Sequence, residues 1–290
     1  KYIKRLNKHC SVGRPADDGL SLSEIEALER HTLAYVDEVI VPNLSDEVVN
    51  VIGFSMNFFQ VYPSAVMARM IQERAKNKKL LFLFGGFSAS LPNIFSLLSK
   101  LGIEGYAVFG EGEKRLSSIF NDLLSQKQFT GQLNTEVPGV FRIGQNIDLF
   151  KRDEKLFKTQ ISDLAHLPLP NFDEYFKLHE KLSENDPLFA RMAPTVLPFE
   201  GSRGCFAKCD FCNMNLQWSG FRKLTASQVL ERVRAQLKIY PVRHLSFVDN
   251  VCDTWAEHFA DEVILSGDKF QFYMDLRAHH PEKFWAKLAA

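Results

Sequence analysis

Residues 80–86 read LLFLFGG, a short apolar run that ends in two glycines. Such a run predicts a β-strand buried on both faces, because a strand with one buried face alternates apolar and polar residues. Similar runs stand on either side of it, VVNVIGF at 48–54 and GYAVFG at 105–110. Amphipathic helices are predicted between and after them, at residues 64–76, 93–101 and 114–124. Strands and helices that alternate at this spacing predict a parallel, doubly wound α/β sheet.

A second alternation follows in the C-terminal part of the chain. TVLPFEGSRG at 195–204 predicts a strand and a turn, and further strands are predicted for HLSFVDN (244–250) and FQFYMDLRA (270–278). Helices are predicted over 225–240, over 255–265 and from Pro281 onwards. Three successive βα units are typical of the start of a barrel or of an open α/β sheet.

The two alternations divide the chain into four predicted segments. A helix over 21–40, capped by Ser21 or Ser23, lies in the N-terminal lead-in. Pro168 and Pro170 indicate an ordered linker between the alternations. The predicted bounds are 1–47 for the lead-in, 48–150 for the first α/β domain, 151–194 for the linker and 195–290 for the second α/β domain. Since each half shows only three strong strands, we expect the intact polypeptide to extend beyond both Lys1 and Ala290.

Composition and charge exclude several classes of protein. The 290 residues are 46% hydrophobic and 24% charged, which is ordinary for a globular protein and excludes disorder, collagen and a coiled-coil rod. Lysine plus arginine equals aspartate plus glutamate at 35 each, so no basic excess predicts binding to nucleic acid or to an anionic membrane. Without an apolar run of membrane-spanning length or a secretory signal, we expect a cytoplasmic protein.

The strongest chemical signal is a cluster of cysteines that follows the strand predicted at 195–204. Cys205, Cys209 and Cys212 fall within eight residues, whereas Cys10 and Cys252 stand apart. A structural zinc site usually takes four ligands from two paired knuckles, and no second CxxC is present. A four-iron cluster held by only three thiolates leaves one iron open to a ligand that is not protein. A zinc knuckle completed by a histidine or by Cys252 is the alternative.

The CxxxCxxC spacing, with Phe211 directly before the last cysteine, resembles the radical S-adenosylmethionine superfamily. The resemblance implies a 4Fe-4S cluster whose open iron binds the amino and carboxylate groups of S-adenosylmethionine, followed by reductive cleavage to a 5′-deoxyadenosyl radical. It implies that Phe211, Asp249 and Asn250 contact S-adenosylmethionine. Arg277 suits its carboxylate, because a guanidinium is a planar fork, although an ordinary salt bridge is an equal alternative. Glu200 is either a ligand to a hydroxyl group or a partner of Arg203.

The first α/β domain carries a second resemblance. VIGFSMNFFQVYPSAVMARMIQER (51–74), LFLFGGFSAS (81–90) and YAVFGEGEKRL (106–116), with the linker LPLPNFDEYF (167–176), resemble cobalamin-dependent radical S-adenosylmethionine enzymes, in particular those that mature ribosomally made peptides. The resemblance covers about residues 48–290. It implies an incomplete Rossmann-like cobalamin-binding domain, followed by the first three βα units of a radical barrel.

The physics of parallel sheets is compatible with this resemblance. Ligands of such sheets bind outside the carboxyl ends of the strands, and glycines there let a flat macrocycle approach the backbone. The residues implied to contact cobalamin are Ser55, Asn57, Phe58, Gln60, Gly85, Gly86, Phe87, Gly110, Glu111, Gly112 and Glu113. The DxHxxG motif that supplies a histidine to cobalt in one class of cobalamin proteins does not occur in this sequence, so the lower axial ligand is left open.

Together the two resemblances imply an enzyme that methylates an unactivated carbon of a peptide or natural-product substrate. They imply 4Fe-4S, S-adenosylmethionine and cobalamin as cofactors, and an electron donor of the flavodoxin or ferredoxin type. A cobalamin-dependent radical cyclase or rearrangement enzyme and a non-radical methyltransferase acting on sp2 carbon are alternatives. A structural zinc protein is the alternative outside enzymes.

Overall fold

Two separate sheets organise the chain. The computed structural model describes residues 22–145, 159–185 and 196–289, apart from 208, 213, 215, 216, 241 and 243. Cys10 and the predicted cap Ser21 lie outside the described residues. The chain divides into two compact units, Lys1–Leu156 and Phe157–Ala290, and each contains its own sheet with three parallel strands.

The first described helix of the first unit is α1 (Leu22–Tyr35), which continues as a π-helical turn over Val36–Ile40. Its sheet has the order β1 (Asn50–Ser55), β2 (Leu80–Gly85), β3 (Tyr106–Val108) and β4 (Val140–Arg142). β1, β2 and β3 are parallel, whereas β4 runs antiparallel to β3. The helices that follow the three parallel strands are α2 (Val61–Arg74), α3 (Pro92–Lys100) and α4 (Glu113–Ser125).

Apolar side chains bury both faces of this sheet, because successive residues of a strand point to opposite sides. On β2, Phe82 and Phe84 belong to a core that also contains α2 and α3. Leu81 and Leu83 belong to a second core that includes Ile119 of α4. The uninterrupted apolar run at 80–84 is therefore explained, and the predicted parallel strands are confirmed. The four described strands follow one another in chain order, without the reversal of order that marks a doubly wound sheet.

The second unit contains α5 (Asp173–Asn185) and three parallel strands in the order β5 (Val196–Phe199), β8 (His244–Phe247) and β9 (Gln271–Tyr273). A two-stranded antiparallel hairpin is formed by β6 (Ser202–Arg203) and β7 (Arg222–Lys223). The remaining helices are α6 (Ala226–Ile239), α7 (Ala256–Ser266) and α8 (Glu282–Ala289). Thr225 caps α6, because its hydroxyl accepts a hydrogen bond from the backbone N–H of Gln228.

The parallel sheet of the second unit is covered on one face within the described residues. Leu197, Leu245 and Phe247 point into a core with α6, α7 and α8. Val196, His244 and Tyr273 on the opposite face are exposed. Helices on a single face are what successive right-handed βα units produce when the strands follow in chain order, as they do in a βα barrel.

Residues of the predicted linker are bound to the second unit. Arg222 donates to the carbonyl of Ile161, Arg232 to that of Leu167 (2.9 Å) and Gln236 to that of Pro170 (2.6 Å). The hydroxyl of Tyr240 accepts the backbone N–H of Phe172 (2.8 Å). Donors of β7 and α6 therefore hold this stretch in place along its length. Among the described residues, no helix is both long enough and apolar enough to cross a membrane.

Candidate functional site

The cysteine loop connects β6 to β7, the two strands of the hairpin in the second unit. Ser202 pairs with Lys223 and Arg203 with Arg222, so the hairpin brings the two ends of the loop together. Gly204 then turns the chain with φ +85°, where a Cβ atom would lie 2.2 Å from the carbonyl oxygen of Gly220. Only glycine fits this position, which explains the SRGC lead-in to the first cysteine.

The three cysteines lie on this loop with different degrees of exposure. Cys205 and Cys212 are half-buried and Cys209 is exposed. The Cys205 Sγ accepts the backbone N–H of Ala207 at 3.4 Å, and the Cys212 N–H donates to the carbonyl of Cys209 at 3.0 Å. The loop backbone therefore supports the sulfur of Cys205 and sets the distance from Cys209 to Cys212.

The three loop thiols do not form a compact set of donors. In the described part of the chain, the set of three donors within 4.8 Å of one another consists of Asp253, His279 and His280, and contains no cysteine. Thiolates on one tetrahedral zinc lie about 4 Å apart, given zinc–sulfur bonds of about 2.3 Å. In a four-iron cluster each thiolate binds a different iron, so a wider set of sulfur atoms fits.

Cys252 is separate from the three loop cysteines. Its side chain is fully buried in the core of the second unit, and burial raises the pKa of its thiol far above the ordinary value. A thiol that resists ionisation is a poor metal ligand, because the thiolate is the form that binds. The structure therefore gives no support to a zinc site completed by Cys252.

Asp249 stands at the end of β8 and is 3% exposed. Its carboxylate accepts the backbone N–H of Gly201 at 3.0 Å and the hydroxyl of Ser202. Burial, and to a smaller extent the nearby Glu200, raise the pKa of Asp249 to about 6, against the hydrogen bonds from Gly201 and Ser202. The side chain predicted to contact S-adenosylmethionine thus holds the lead-in to the cysteine loop.

Asn250 lies beside the same loop. Its side-chain amide donates to the carbonyl of Gly204 at 3.4 Å and is half-buried. Glu200 accepts the Nε of Arg203 at 2.9 Å, which is the salt bridge that the sequence left as one of two alternatives. Phe211 is 90% exposed, so its ring is accessible to a ligand.

Arg277 also has a partner within the protein. Its Nε donates to Oδ1 of Asp253 at 3.1 Å, and its Cζ lies 4.8 Å from the ring centroid of Phe206. Burial alone would raise the pKa of Asp253, but hydrogen bonds from His280 and Arg277 outweigh it and hold that pKa below its usual value. Arg277 is therefore placed next to the cysteine loop, by an aspartate that sequence reasoning did not identify.

In the first unit, the loops after β1 and β2 are joined by hydrogen bonds. The backbone N–H of Met56 donates to the carbonyl of Gly85 (2.7 Å), and that of Ser88 to the carbonyl of Met56 (2.9 Å). Asn57 Oδ1 accepts the backbone N–H of Phe87 at 2.9 Å, and Ser88 Oγ accepts that of Phe58 at 3.0 Å. The two predicted loops therefore meet at the carboxyl edge of the sheet.

The aromatic residues of these loops differ in exposure. Phe58 has φ +40°, a backbone conformation that residues other than glycine rarely adopt, and its ring is 68% exposed. Phe87 is buried, with its ring centroid 5.9 Å from that of Phe58. Gln60 accepts the backbone N–H of Asn57 at 3.1 Å. Of the two predicted phenylalanines, only Phe58 is presented to solvent.

The two glycines at the end of β2, Gly85 and Gly86, have different surroundings. A Cβ at Gly86 would lie 2.8 Å from the carbonyl oxygen of Met56, so the packing of the two loops requires that glycine. A Cβ at Gly85 would meet nothing within 4 Å. Ser55 pairs with Gly85 at the last position of the parallel register. Gly85 is therefore the position where a ligand can approach the backbone.

The third loop, Gly110–Glu113, is anchored by an arginine that sequence reasoning missed. Arg115 is 1% exposed and donates from Nη1 to the carbonyl of Glu111 (2.7 Å) and from Nε to the carbonyl of Pro138 (2.8 Å). Glu111 is buried, whereas Gly112 and Glu113 begin α4. The signal that could have identified Arg115 was its position on the apolar face of the predicted helix. The carbonyl groups that it binds could not be read from the sequence.

Comparison with known proteins identifies a shared fold. No protein-family model and no curated protein matches the chain. Two solved structures of the radical S-adenosylmethionine methyltransferase TsrM from Kitasatospora setae do match it, each over 90% of this chain and 49% of theirs. The one with tryptophan substrate and the S-adenosylmethionine analogue aza-SAM bound has 13% identity and a TM-score of 0.58. The one with cobalamin and a 4Fe-4S cluster bound has 14% identity and a TM-score of 0.52.

A third match is the cobalamin-dependent S-adenosylmethionine radical enzyme OxsB with aqua-cobalamin bound. It covers 88% of this chain and 34% of the other, at 15% identity and a TM-score of 0.52. The chain thus spans about half or less of the length of these proteins. At such identities, the matches show that the chain shares their mixed α/β fold.

Proposed function

We propose that this chain is the cobalamin- and S-adenosylmethionine-binding part of a radical enzyme that methylates carbon. The observation that carries the proposal is the loop of Cys205, Cys209 and Cys212, which follows the first strand of a parallel sheet in a chain that shares the fold of TsrM and OxsB. The fold by itself would not assign a function, and the three-thiol loop adds the chemistry.

Cys205, Cys209 and Cys212 would hold a 4Fe-4S cluster, and Phe211, Asn250 and Arg277 would contact S-adenosylmethionine at the open iron. Ser55, Gly85 and the exposed ring of Phe58 would contact cobalamin at the carboxyl edge of the first sheet. When bound, these groups supply a one-electron reductant, a source of carbon radicals and a transferable methyl group. The protein binds and orients them, and excludes water from the reacting atoms.

The substrate in this proposal is an unactivated carbon of a peptide or of a small natural product. A small molecule is favoured by the TsrM structure that contains tryptophan substrate. An electron donor of the flavodoxin or ferredoxin type would reduce the cluster. A radical cyclase or rearrangement enzyme and a non-radical methyltransferase remain the competing reactions, and product analysis separates them.

The cluster is tested by anaerobic reconstitution of the intact enzyme. We expect about four irons and four sulfides per chain, in line with one 4Fe-4S cluster. Replacement of Cys205, Cys209 or Cys212 by alanine should each abolish iron binding, whereas Cys252→Ala should retain it. Zinc in place of iron, or loss of the cluster in Cys252→Ala, contradicts the proposal.

The reaction is tested with S-adenosylmethionine that carries a labelled methyl group. A radical methylation yields S-adenosylhomocysteine and 5′-deoxyadenosine together, with the label in the product and no product without cobalamin. Labelled product without 5′-deoxyadenosine indicates the non-radical reaction. Formation of 5′-deoxyadenosine with an unlabelled product indicates the cyclase or rearrangement reaction.

The cobalamin site is tested at Gly85, the last residue of β2. Gly85→Val adds a side chain where the protein leaves open space, so it should weaken corrinoid retention while the first unit stays folded. Gly53→Val is the matched control, since Gly53 lies in the neighbouring strand and also has nothing within 4 Å. Equal corrinoid binding by both variants and by the unmodified enzyme would remove Gly85 from the site.

A further inference from the structure

Asp253 is a buried carboxylate that the proposed function does not use. It lies in the turn between β8 and α7, and its side chain is 3% exposed. Three donors converge on it: His280 Nε2 at 2.6 Å and Arg277 Nε at 3.1 Å on Oδ1, and the backbone N–H of Arg277 at 3.4 Å on Oδ2. The carboxylate thus joins the turn after β8 to the segment between β9 and α8.

The group is better described as a hydrogen-bond centre than as a metal site. Asp253, His279 and His280 place donor atoms within 4.8 Å of one another, which is close enough for one ion. A metal ion there would have to take Oδ1 from both His280 and Arg277, and it would lie beside a guanidinium that is always charged. The rings of His279 and His280 also lie 30° from parallel, so their nitrogens do not converge well.

His280 is itself held in place. Its ring stacks on Phe284 of α8 at 4.0 Å and 15°, and its carbonyl accepts the indole N–H of Trp285 at 3.1 Å. The hydrogen bond from His280 to Asp253 therefore begins on a fixed ring. Because a buried carboxylate with two side-chain donors has little rotational freedom, the direction of the Arg277 side chain is fixed in turn.

Arg277 connects this centre to the cysteine loop. Its guanidinium carbon lies 4.8 Å from the centroid of the Phe206 ring, and that ring makes an edge contact with Phe221 at 5.4 Å on the other arm of the loop. Phe206 directly follows Cys205, and Ala207 donates to the Cys205 sulfur. A cation over an aromatic face is attractive, so Arg277 restrains the residues next to the first thiol.

We propose that Asp253 is a positioning residue, which holds Arg277 over Phe206 and thereby fixes Cys205 in the cysteine loop. The inference rests on the proposed function only in that this loop receives the cluster. It assigns to Arg277 a role in the loop that is independent of any contact between Arg277 and S-adenosylmethionine.

The test is the rate at which iodoacetamide alkylates each cysteine of the full chain, free of metal and followed by mass spectrometry. Asp253→Asn removes the charged acceptor, and Arg277→Gln removes the cation at a side chain that is half exposed, so that variant should fold. Both should raise the alkylation rate of Cys205 by about fivefold, the factor that a cation–π contact of ordinary strength supplies. The rate at the exposed Cys209 should not change.

Asp268 provides a matched control. It forms a similar ion pair with Arg234 at 2.6 Å between α6 and the end of α7, away from the cysteine loop. Asp268→Asn should leave all alkylation rates unchanged. An unchanged rate at Cys205 in Arg277→Gln, or an equal rise at Cys205 and Cys209, overturns the positioning role.

Iron content separates this inference from the proposed function. If the unmodified chain binds no iron but Cys205 becomes more reactive in both variants, the proposed function fails and the positioning role stands. If the chain binds about four irons and Cys205 reactivity is unchanged, the reverse holds. If both results are positive, the Asp253→Asn enzyme should also lose its reconstituted cluster to a chelator faster than Asp268→Asn does.

Discussion

Neutral groups join the loops after β1 and β2 in the first unit, whereas ions fix the loops around the cysteines in the second. In the first unit, an amide and a hydroxyl, of Asn57 and Ser88, accept backbone N–H groups across the two loops. In the second unit, Asp249 accepts from Gly201 and Ser202, and Asp253 accepts from Arg277 and His280. The same kind of sheet edge is thus built by two different chemistries.

The difference fits the ligand proposed for each edge. A corrin ring is large and flat, so glycines and neutral amides that leave backbone accessible suit it. An iron–sulfur cluster with a charged cofactor needs thiols at fixed positions, and charge-assisted hydrogen bonds are stronger and more directional than neutral ones. Buried carboxylates make the second edge sensitive to pH, whereas the first edge contains no titrating group in these contacts.

The largest effect that sharpens this comparison is expected at the two glycines of the cysteine loop. Gly204→Ala forces a side chain to φ +85° and to within 2.2 Å of the Gly220 carbonyl oxygen, and should destabilise the second unit by about 4 kcal/mol. Gly220→Ala meets nothing within 4 Å at φ +74°, so it should cost only about 1 kcal/mol. All three tryptophans lie in the second unit, so urea unfolding followed by tryptophan fluorescence measures both.

Similar losses in the two variants would contradict this prediction. They would show that the left-handed backbone alone sets the cost, and that the close approach of Gly204 to Gly220 adds nothing. The contact between Gly204 and Gly220 would then not stabilise the closed cysteine loop.

The next effect concerns Asp249 and the pH dependence of the second unit. The pKa of Asp249 is raised to about 6, above an unfolded value of about 3.9, so the folded state binds the additional proton between these values. Its contribution to stability is complete below about pH 4 and is lost as the pH rises through 6, by about 3 kcal/mol in total. Asp249→Asn should remove this slope, as measured by urea unfolding from pH 4 to 7.

Asp122 of the first unit is the counterpart with the opposite sign. It is also almost fully buried, but Thr135, Asn134 and Gln126 donate to its carboxylate, and these hydrogen bonds outweigh burial and lower its pKa. Its stabilising effect is present above the unfolded pKa and is lost as the pH falls through the lower folded value. The protection factors for hydrogen exchange in α4, which are corrected for the intrinsic pH dependence of exchange, should therefore fall in acid. A fall at alkaline pH instead would contradict this.

The sequence predicted the elements of both sheets well, because burial on both faces leaves a continuous apolar run. The strands predicted at 48–54 and 80–84 are β1 and β2 to within two residues, and the helix predicted over 225–240 is α6 to within one. Helix α5 was missed, because residues 173–185 have few buried positions and lie in the predicted linker.

The candidate site was predictable where the chemistry is local in sequence. Three cysteines within eight residues are easily recognised as a possible metal site. The hydrogen bond from Ser202 to Asp249, in contrast, spans 47 residues, and that from Arg277 to Asp253 spans 24. A carboxylate at a strand end was visible in the sequence, but its partner was not. Sequence reasoning therefore assigned Asp249 only to a ligand, and left Arg277 between a ligand and an ordinary salt bridge. The structure gives each of them a protein partner, Ser202 and Asp253.

A smaller effect is expected at the neutral hydrogen bonds that join the loops after β1 and β2 in the first unit. Ser88→Ala removes the acceptor of the Phe58 N–H at a loop whose backbone is strained, and should cost about 1 kcal/mol. Ser90 lies two residues away, and its buried hydroxyl has no hydrogen-bond partner in the described part of the chain. Ser90→Ala should therefore be neutral or stabilising. Thermal unfolding of the two variants, followed by circular dichroism, measures the difference. An equal loss of stability in both would show that the hydrogen bond from the Phe58 N–H to Ser88 adds no stability.

The smallest effect on stability is expected at the two most exposed phenylalanines of these edges, Phe59 at 95% and Phe211 at 90%. A side chain already in water loses no burial on truncation, so Phe59→Ser and Phe211→Ser should each change the unfolding free energy by less than about 0.5 kcal/mol. Ligand binding should separate them. The exposed ring of Phe211, in the cysteine loop, can stack on the adenine of S-adenosylmethionine. Phe211→Ser should therefore weaken the binding of S-adenosylmethionine about tenfold, as measured by equilibrium dialysis, and Phe59→Ser should not. Equal binding in both variants would leave Phe211 exposed without a role at the cluster, and the contact would have to be sought at Asn250 and Arg277.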